Sequence, residues 1–168
     1  ASATTFPPNF TATAVALDNT GNGSTIVYNG GVAQTVQALS NGTGVRNYSH
    51  LELVQPGGGS VTKTFNGASL IRGNLTIGAN NVMDVSGSNY APTVTGNWTD
   101  NGSFTCQNGT LTFNGTTQTI NSGGNSETFY DVTLNNTTTT ISSGNVTVSN
   151  TLTFTAGKVV LGTNNLII

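Results

Sequence analysis

Charge is what this chain has least of: 4 basic and 6 acidic side chains among 168 residues, where an average chain carries about a quarter charged residues. Four cations cannot neutralise a run of phosphates, which excludes nucleic acid as a partner, and they are too few for a polybasic membrane patch. No apolar run approaches the about 18 residues of a membrane-spanning helix, so membrane insertion is not expected. The one cysteine, Cys106, has no internal disulfide partner. One histidine and six scattered carboxylates leave little from which to assemble a catalyst. No catalytic, cofactor-binding or metal-ligating set is expected, since a closed zinc site alone needs several converging His, Cys or carboxylate ligands. Residue 1 is Ala, with no charged n-region or apolar h-region after it. That pattern implies an extracellular or cell-surface protein, secreted with its signal removed.

What fills the chain instead is Thr (31), Asn (23), Gly (22) and Ser (14), together just over half of it. Disordered chains are poor in β-branched residues, whereas here Thr alternates with Val, Ile, Leu and Phe throughout, and no window carries a 3.6-residue apolar period. The reading is all-β. Twelve Asn-x-Ser/Thr sequons occur, among them Asn9, Asn74, Asn97 and Asn145. They arise where turn residues precede Thr-bearing strands, and permit glycosylation without establishing it.

Residues 1–23 differ from the rest. Phe6-Pro7-Pro8 forces an extended entry, and Thr11 to Leu17 alternates like a strand with one weakly apolar face. From Ser24 onward, short strands recur between Asn-Gly, Gly-Gly and Ser-Gly punctuation. Clear examples are Thr25–Tyr28, Leu51–Val54, Leu75–Ile77, Thr93–Thr95, Leu111–Phe113 and Val132–Leu134, followed by Val146–Val148, Leu152–Phe154, Val159–Leu161 and Leu166–Ile168. The last four start six or seven residues apart, too close for any helix between them.

Internal repetition is the strongest signal. STIVYNGGVAQTVQ (24–37) matches GTLTFNGTTQTIN (109–121), NYSHLEL (47–53) matches TFYDVTL (128–134), and IRGNLTIGANNVMDV (71–85) matches VSNTLTFTAGKVVLG (148–162). The chain therefore divides into an extended arm, 1–23, and a β domain, 24–168, made of related modules 24–86 and 109–168 joined by a bridge, 87–108. Short strands with small-residue corners suit a right-handed parallel β-helix whose coils hold about 20 residues on three faces. Val146, Val148, Leu152, Phe154, Val159 and Leu161 would then stack inward as apolar ladders while Thr stays wet. The alternative is an antiparallel β-sandwich, because Asn-Gly is also a hairpin signal.

The succession TVTGNWTDNGSFTCQNGTLTFNG, QTI, TFYDVTLNN and GNVTVSNTLTFTAGKVVLGTNNLII resembles modules of very large secreted proteins from Bacteroidetes and neighbouring phyla. Those modules are right-handed β-helical, surface or adhesin-like repeats. The resemblance spans about residues 24–168 and implies a fold and a surface setting. It brings no catalytic residues with it. Such modules usually sit within far longer chains, with sorting or anchoring domains that this sequence does not carry after Ile168.

Candidate sites are few. Ser49, His50 and Glu52 suggest a nucleophile, base and acid, but neighbours on a strand point to opposite faces, so Ser49 and His50 cannot share a proton. Asp18, Glu52, Asp84, Asp100, Glu127 and Asp131 form no paired motif in sequence, although folding can bring two together. Trp98, with Tyr90, Phe104 and Tyr130, is a candidate sugar-stacking platform, Trp98 being the residue to contact a glycan. Cys106 fits the place of a small core residue.

The function expected from these features is structural: a subunit of an extracellular filament whose partners are copies of itself, joined head-to-tail by strand addition at open β edges. The assembly residues are Phe6, Pro7, Val15 and Leu17 on the arm and Leu166, Ile167 and Ile168 on the last strand. The alternatives are a fragment of a large cell-surface adhesin, or a carbohydrate-binding module with surface glycans as partners.

Overall fold

A computed structural model describes residues 23–38 and 47–168, and among them there is no helix. Fifteen short strands wind as a right-handed parallel β-helix of about six turns. Every recorded strand pair is parallel, which rules out the sandwich. A parallel ladder cannot be closed by a two-residue Asn-Gly hairpin; each neighbour lies a whole coil away in sequence.

Three faces make each coil. The first face carries β1 (Thr25–Tyr28), β3 (His50–Leu53), β6 (Leu75–Ile77), β9 (Trp98–Asp100) and β12 (Thr117–Asn121). The second carries β2 (Gln34–Val36), β4 (Val61–Phe65), β7 (Asn81–Asp84) and β10 (Ser103–Thr105). The third carries β5 (Leu70–Ile71), β8 (Thr93–Val94) and β11 (Thr110–Phe113). The long strands β13 (Glu127–Ser143) and β14 (Val146–Val160) then run through all three faces, and β15 (Leu166–Ile167) pairs with the start of β14. Register shifts in the β13–β14 pair fall at Phe129/Asp131, Leu134/Asn135 and Asn135/Thr138. These bulges bend the continuous strands around the corners.

The coil is not of constant length. On the first face Ile26 pairs with Leu51, Leu51 with Leu75, Leu75 with Trp98, Trp98 with Ile120, Ile120 with Ile141 and Thr139 with Val159, spacings of 25, 24, 23, 22, 21 and 20 residues. On this face the expected coil of about 20 is reached only at the C-terminal end, whereas the other two faces already give spacings of 20 at Val61–Asn81 and 19 at Val94–Phe113. Early coils carry longer corners, such as 54–60 and 85–92, and late ones turn within a strand. Two glycines allow the tightest of these turns. Gly144 (φ 78°) and Gly157 (φ 93°) lie in the left-handed region, and a Cβ there would sit 1.8 Å from Asn125 O and 1.9 Å from Asn136 O.

Inward positions stack into ladders: Ile71, Val94, Phe113, Leu134 and Phe154 on the third face, and Leu51, Leu75, Trp98, Ile120 and Ile141 on the first. Except for Phe154, all are buried. Each fully buried side chain of this size is worth about 1.5–3 kcal/mol. At mid-height Trp98, Phe104, Phe113 and Phe129 meet edge-to-face or tilted, with centroids 5.0–6.4 Å apart. That geometry matches the ring quadrupoles.

Outside, side-chain oxygens and one imidazole brace the corners. His50 Nδ1 accepts from Asn74 N–H, Asn74 Oδ1 from Asn97 N–H, Asn97 Oδ1 from Thr119 N–H, and Asn145 Oδ1 from Asn165 N–H, each at 2.9 Å. Three of the sequon asparagines, Asn74, Asn97 and Asn145, are therefore structural rungs.

The repeat also has a different meaning from the one expected. Segment 24–37 lies on the first and second faces, its match 109–121 on the third and first; β3 on the first face matches Asp131–Leu134 on the third; β6 matches Leu152–Phe154 in the same way. Every matched pair is displaced by one face. What repeats is a strand-corner-strand unit, not a coil. The brace within it is the same: Gly30 N–H donates to Gln34 Oε1 at 2.8 Å, and Gly115 N–H donates to Gln118 Oε1 at 2.7 Å. The modules are continuous coils of one solenoid, and the bridge 87–108 supplies β8, β9 and β10 to it.

Candidate functional site

Two places in the solenoid have an exposed or unusual interior. The first is the last coil. Leu152, Val159 and Leu166 continue the inward ladders but are only half-buried, and Phe154, which stacks on Leu134, is 51% exposed. With Ile120, Phe129, Val132, Leu134 and Ile141 beneath, Leu152, Val159 and Leu166 line a largely apolar depression. Among the described residues, no strand pairs with the outer edges of Thr151–Phe154, Lys158–Val160 or β15. Natural edges are blunted by charge or proline; residues 146–168 contain Lys158 as their one charged side chain and no proline.

The sequence-derived assembly residues divide between the described and undescribed parts. Phe6, Pro7, Val15 and Leu17 lie outside the described residues. Leu166 pairs with Val146 and points inward, Ile167 points outward and is 52% exposed, and Ile168 is 76% exposed. Leu166 thus belongs to the open ladder, and Ile167 and Ile168 to its rim.

The second place is a corner at mid-height. Asp100 ends β9 and Glu127 begins β13; both are buried, and both line one pocket at this corner. Trp98 Nε1–H donates to Glu127 Oε2 at 3.0 Å, Thr128 N–H to Glu127 Oε1 at 3.2 Å, and Gly102 N–H to Asp100 Oδ1 at 2.7 Å. A pocket of about 150 Å³, partly lined by Phe104, Ser122 and Ser126, opens beside them. Burial raises the carboxyl of Asp100, and burial together with the Asp100 charge pushes that of Glu127 up to about 8. Among six carboxylates without a sequence motif, folding joins these two. Their separation of 27 positions crosses one coil and one corner, a distance no local pattern announces.

Among the described residues no three His, Cys, Asp or Glu side chains converge as metal ligands. His50 is a corner brace, while Ser49 beside it is buried. Cys106 is half-buried, and its thiol is pushed up by burial.

Trp98 requires a correction. Expected as a glycan contact, it is fully buried, with its indole N–H spent on Glu127 and its ring enclosed by Phe104, Phe113 and Phe129. Its position in the first-face ladder between Leu75 and Ile120 turns it inward, so no ring face is left for a sugar.

No protein-family model, curated protein or solved structure matches this chain.

Proposed function

We propose that the protein is a structural, non-enzymatic subunit of an extracellular filament, and that its last coil receives a β-strand from the next copy. One observation carries this reading: the coil at 146–168 holds an apolar ladder open to solvent, along strand edges that no described strand pairs and a single charge guards. Covering Leu152, Phe154, Val159 and Leu166 removes apolar surface from water at roughly 25 cal/mol per Å², while main-chain pairing supplies direction. The occupant is the neighbour's segment 1–23. Thr11–Leu17 alternates with the two-residue period of a strand, and Val15 and Leu17 fall on one side of it. A head-to-tail contact of this kind does not close on itself, so it yields a fibre.

The test is deletion of residues 1–23, scored by electron microscopy and size exclusion. Long uniform fibres from the full chain, lost on deletion while the β core stays folded, are the expected result. Fibres of normal length without the arm would assign the donor strand elsewhere. A full chain that stays monomeric at high concentration would defeat the filament reading and favour an adhesin segment covered by further coils.

A further inference from the structure

Asp100 and Glu127 are buried together at one corner and line the same pocket. Two ionised carboxylates brought together out of water repel, and one proton held by the pair removes that repulsion. Both side chains are 4% exposed. Among the described residues, the charges and titratable groups bearing on the pair are the two carboxyls themselves and the Cys106 thiol, which feels Glu127. Asp100 occupies the inward position that Tyr28, Leu53 and Ile77 hold in the preceding coils. A carboxyl there is tolerated because Glu127, one coil further on, meets it, and because Trp98 and Thr128 occupy the other acceptor sites of Glu127.

We propose that Asp100 and Glu127 form a proton-operated clasp between successive coils, closed while they share a proton and loosened when the second proton leaves. The neighbouring pocket, with Ser122 and Ser126 on its wall, gives water a route to the pair. Deprotonation puts two like charges together inside a corner whose described lining holds no Lys or Arg, and the approach of β9 to β13 is then repulsive.

The direction with pH follows from linkage. Burial, with the neighbouring Asp100, pushes the Glu127 carboxyl up to about 8 from an ordinary value of 4.5. The folded chain therefore holds a proton that the unfolded chain has lost throughout that interval. The stability this confers is fully present below the ordinary value and is lost as pH rises to about 8. The pair titrates as a unit. The clasp is thus tightest in acid and released in mild alkali, the opposite of an ordinary surface carboxylate paired with a cation.

Trp98 is the chain's one tryptophan and donates directly to Glu127, so its fluorescence reports on this corner alone. The experiment is a pH titration of Trp98 emission and of the urea midpoint, from about pH 5 to about pH 9, on the wild type and on Glu127→Gln. The glutamine keeps a donor for Asp100 and an acceptor for Trp98 but cannot ionise. We expect wild-type emission to shift with a midpoint near 8 and the folding equilibrium constant to fall by up to about tenfold per pH unit below it, with both changes absent in Glu127→Gln. A wild-type emission flat across the range, or an unchanged pH slope in Glu127→Gln, overturns the proposal. Should the variant not fold, the infrared carbonyl band of a protonated carboxylic acid in the wild-type protein at about pH 6.5 decides alone, and its absence is equally fatal.

Discussion

The interior of the first two coils and the interior of the last are filled by opposite means. Near the start, Lys63 is fully buried and donates to Gly30 O and Gln34 Oε1, each at 2.6 Å. Beside it a closed ring runs from Gln37 N–H to Tyr28 Oη (3.1 Å), from Tyr28 to the Tyr48 hydroxyl (2.9 Å), and from Tyr48 Oη–H back to Gln37 O (2.6 Å). Burial pushes both phenols up, so both stay neutral donors. At the other end Leu152, Phe154, Val159 and Leu166 make no polar contact and are partly wet. A closed hydrogen-bond ring is directional and complete, and gains nothing from a partner. An open apolar ladder gains only from being covered. The asymmetry gives the solenoid a polarity, and the proposed assembly uses it by making the last coil the acceptor.

The largest effect expected from breaking this contrast is at Lys63. Lys63→Ala leaves the Gly30 carbonyl without its partner and opens a void, at a cost of about 2–5 kcal/mol, read as a drop in the urea midpoint. Next is Tyr48→Phe, which removes one hydroxyl from the ring and strands the Gln37 carbonyl, for about 1–3 kcal/mol by the same measurement. A loss below about 0.3 kcal/mol would show that water replaces the ring, and the two ends would not differ as argued.

At the last coil the same class of change is expected to do little to the isolated subunit. Phe154→Ala removes a ring that is already half in water, so less than about 1.5 kcal/mol is expected by thermal melting, against about 3–5 for the buried Phe113→Ala in the same ladder. Fibre yield should respond in the reverse order of monomer stability, falling most for Phe154→Ala. The smallest effect on folding is that of Ile168→Lys, within about 0.5 kcal/mol, because Ile168 is 76% exposed. Yet a charge placed at the joint should reduce fibre formation steeply. Unchanged fibre yield from both Phe154→Ala and Ile168→Lys would move the joint away from this coil.

Strand identity was readable where the inward residues are apolar. Leu51–Leu53, Leu75–Ile77 and Leu111–Phe113 stand out because one Glu or Thr separates two buried apolar residues. The second face was mostly missed. Val61–Phe65 reads V-T-K-T-F, with a lysine in an inward place, and Asn81–Asp84 starts on a buried asparagine. A polar inward residue looks like an outward one until its partners are known, and for Lys63 those partners are Gly30 and Gln34, in the preceding coil. Trp98 misled for the converse reason: an aromatic beside Asn and Thr reads as exposed, and only its place between Leu75 and Ile120 turns it inward.

Composition and period alone determined that the chain is all-β, built of short strands with small corners, repetitive, and nearly free of charge. These are local properties: β-branched residues at a two-residue period, with Gly and Asn where the chain must turn. Tertiary structure decided what depends on stacking one coil upon another. It set the shortening of the first-face spacing from 25 to 20 residues and the one-face offset of the repeat. It also paired Asp100 with Glu127 and left Phe154 uncovered. Partners in a parallel ladder lie about a coil apart in sequence, so which side chains meet depends on the summed lengths of the intervening corners, and no local pattern encodes that sum.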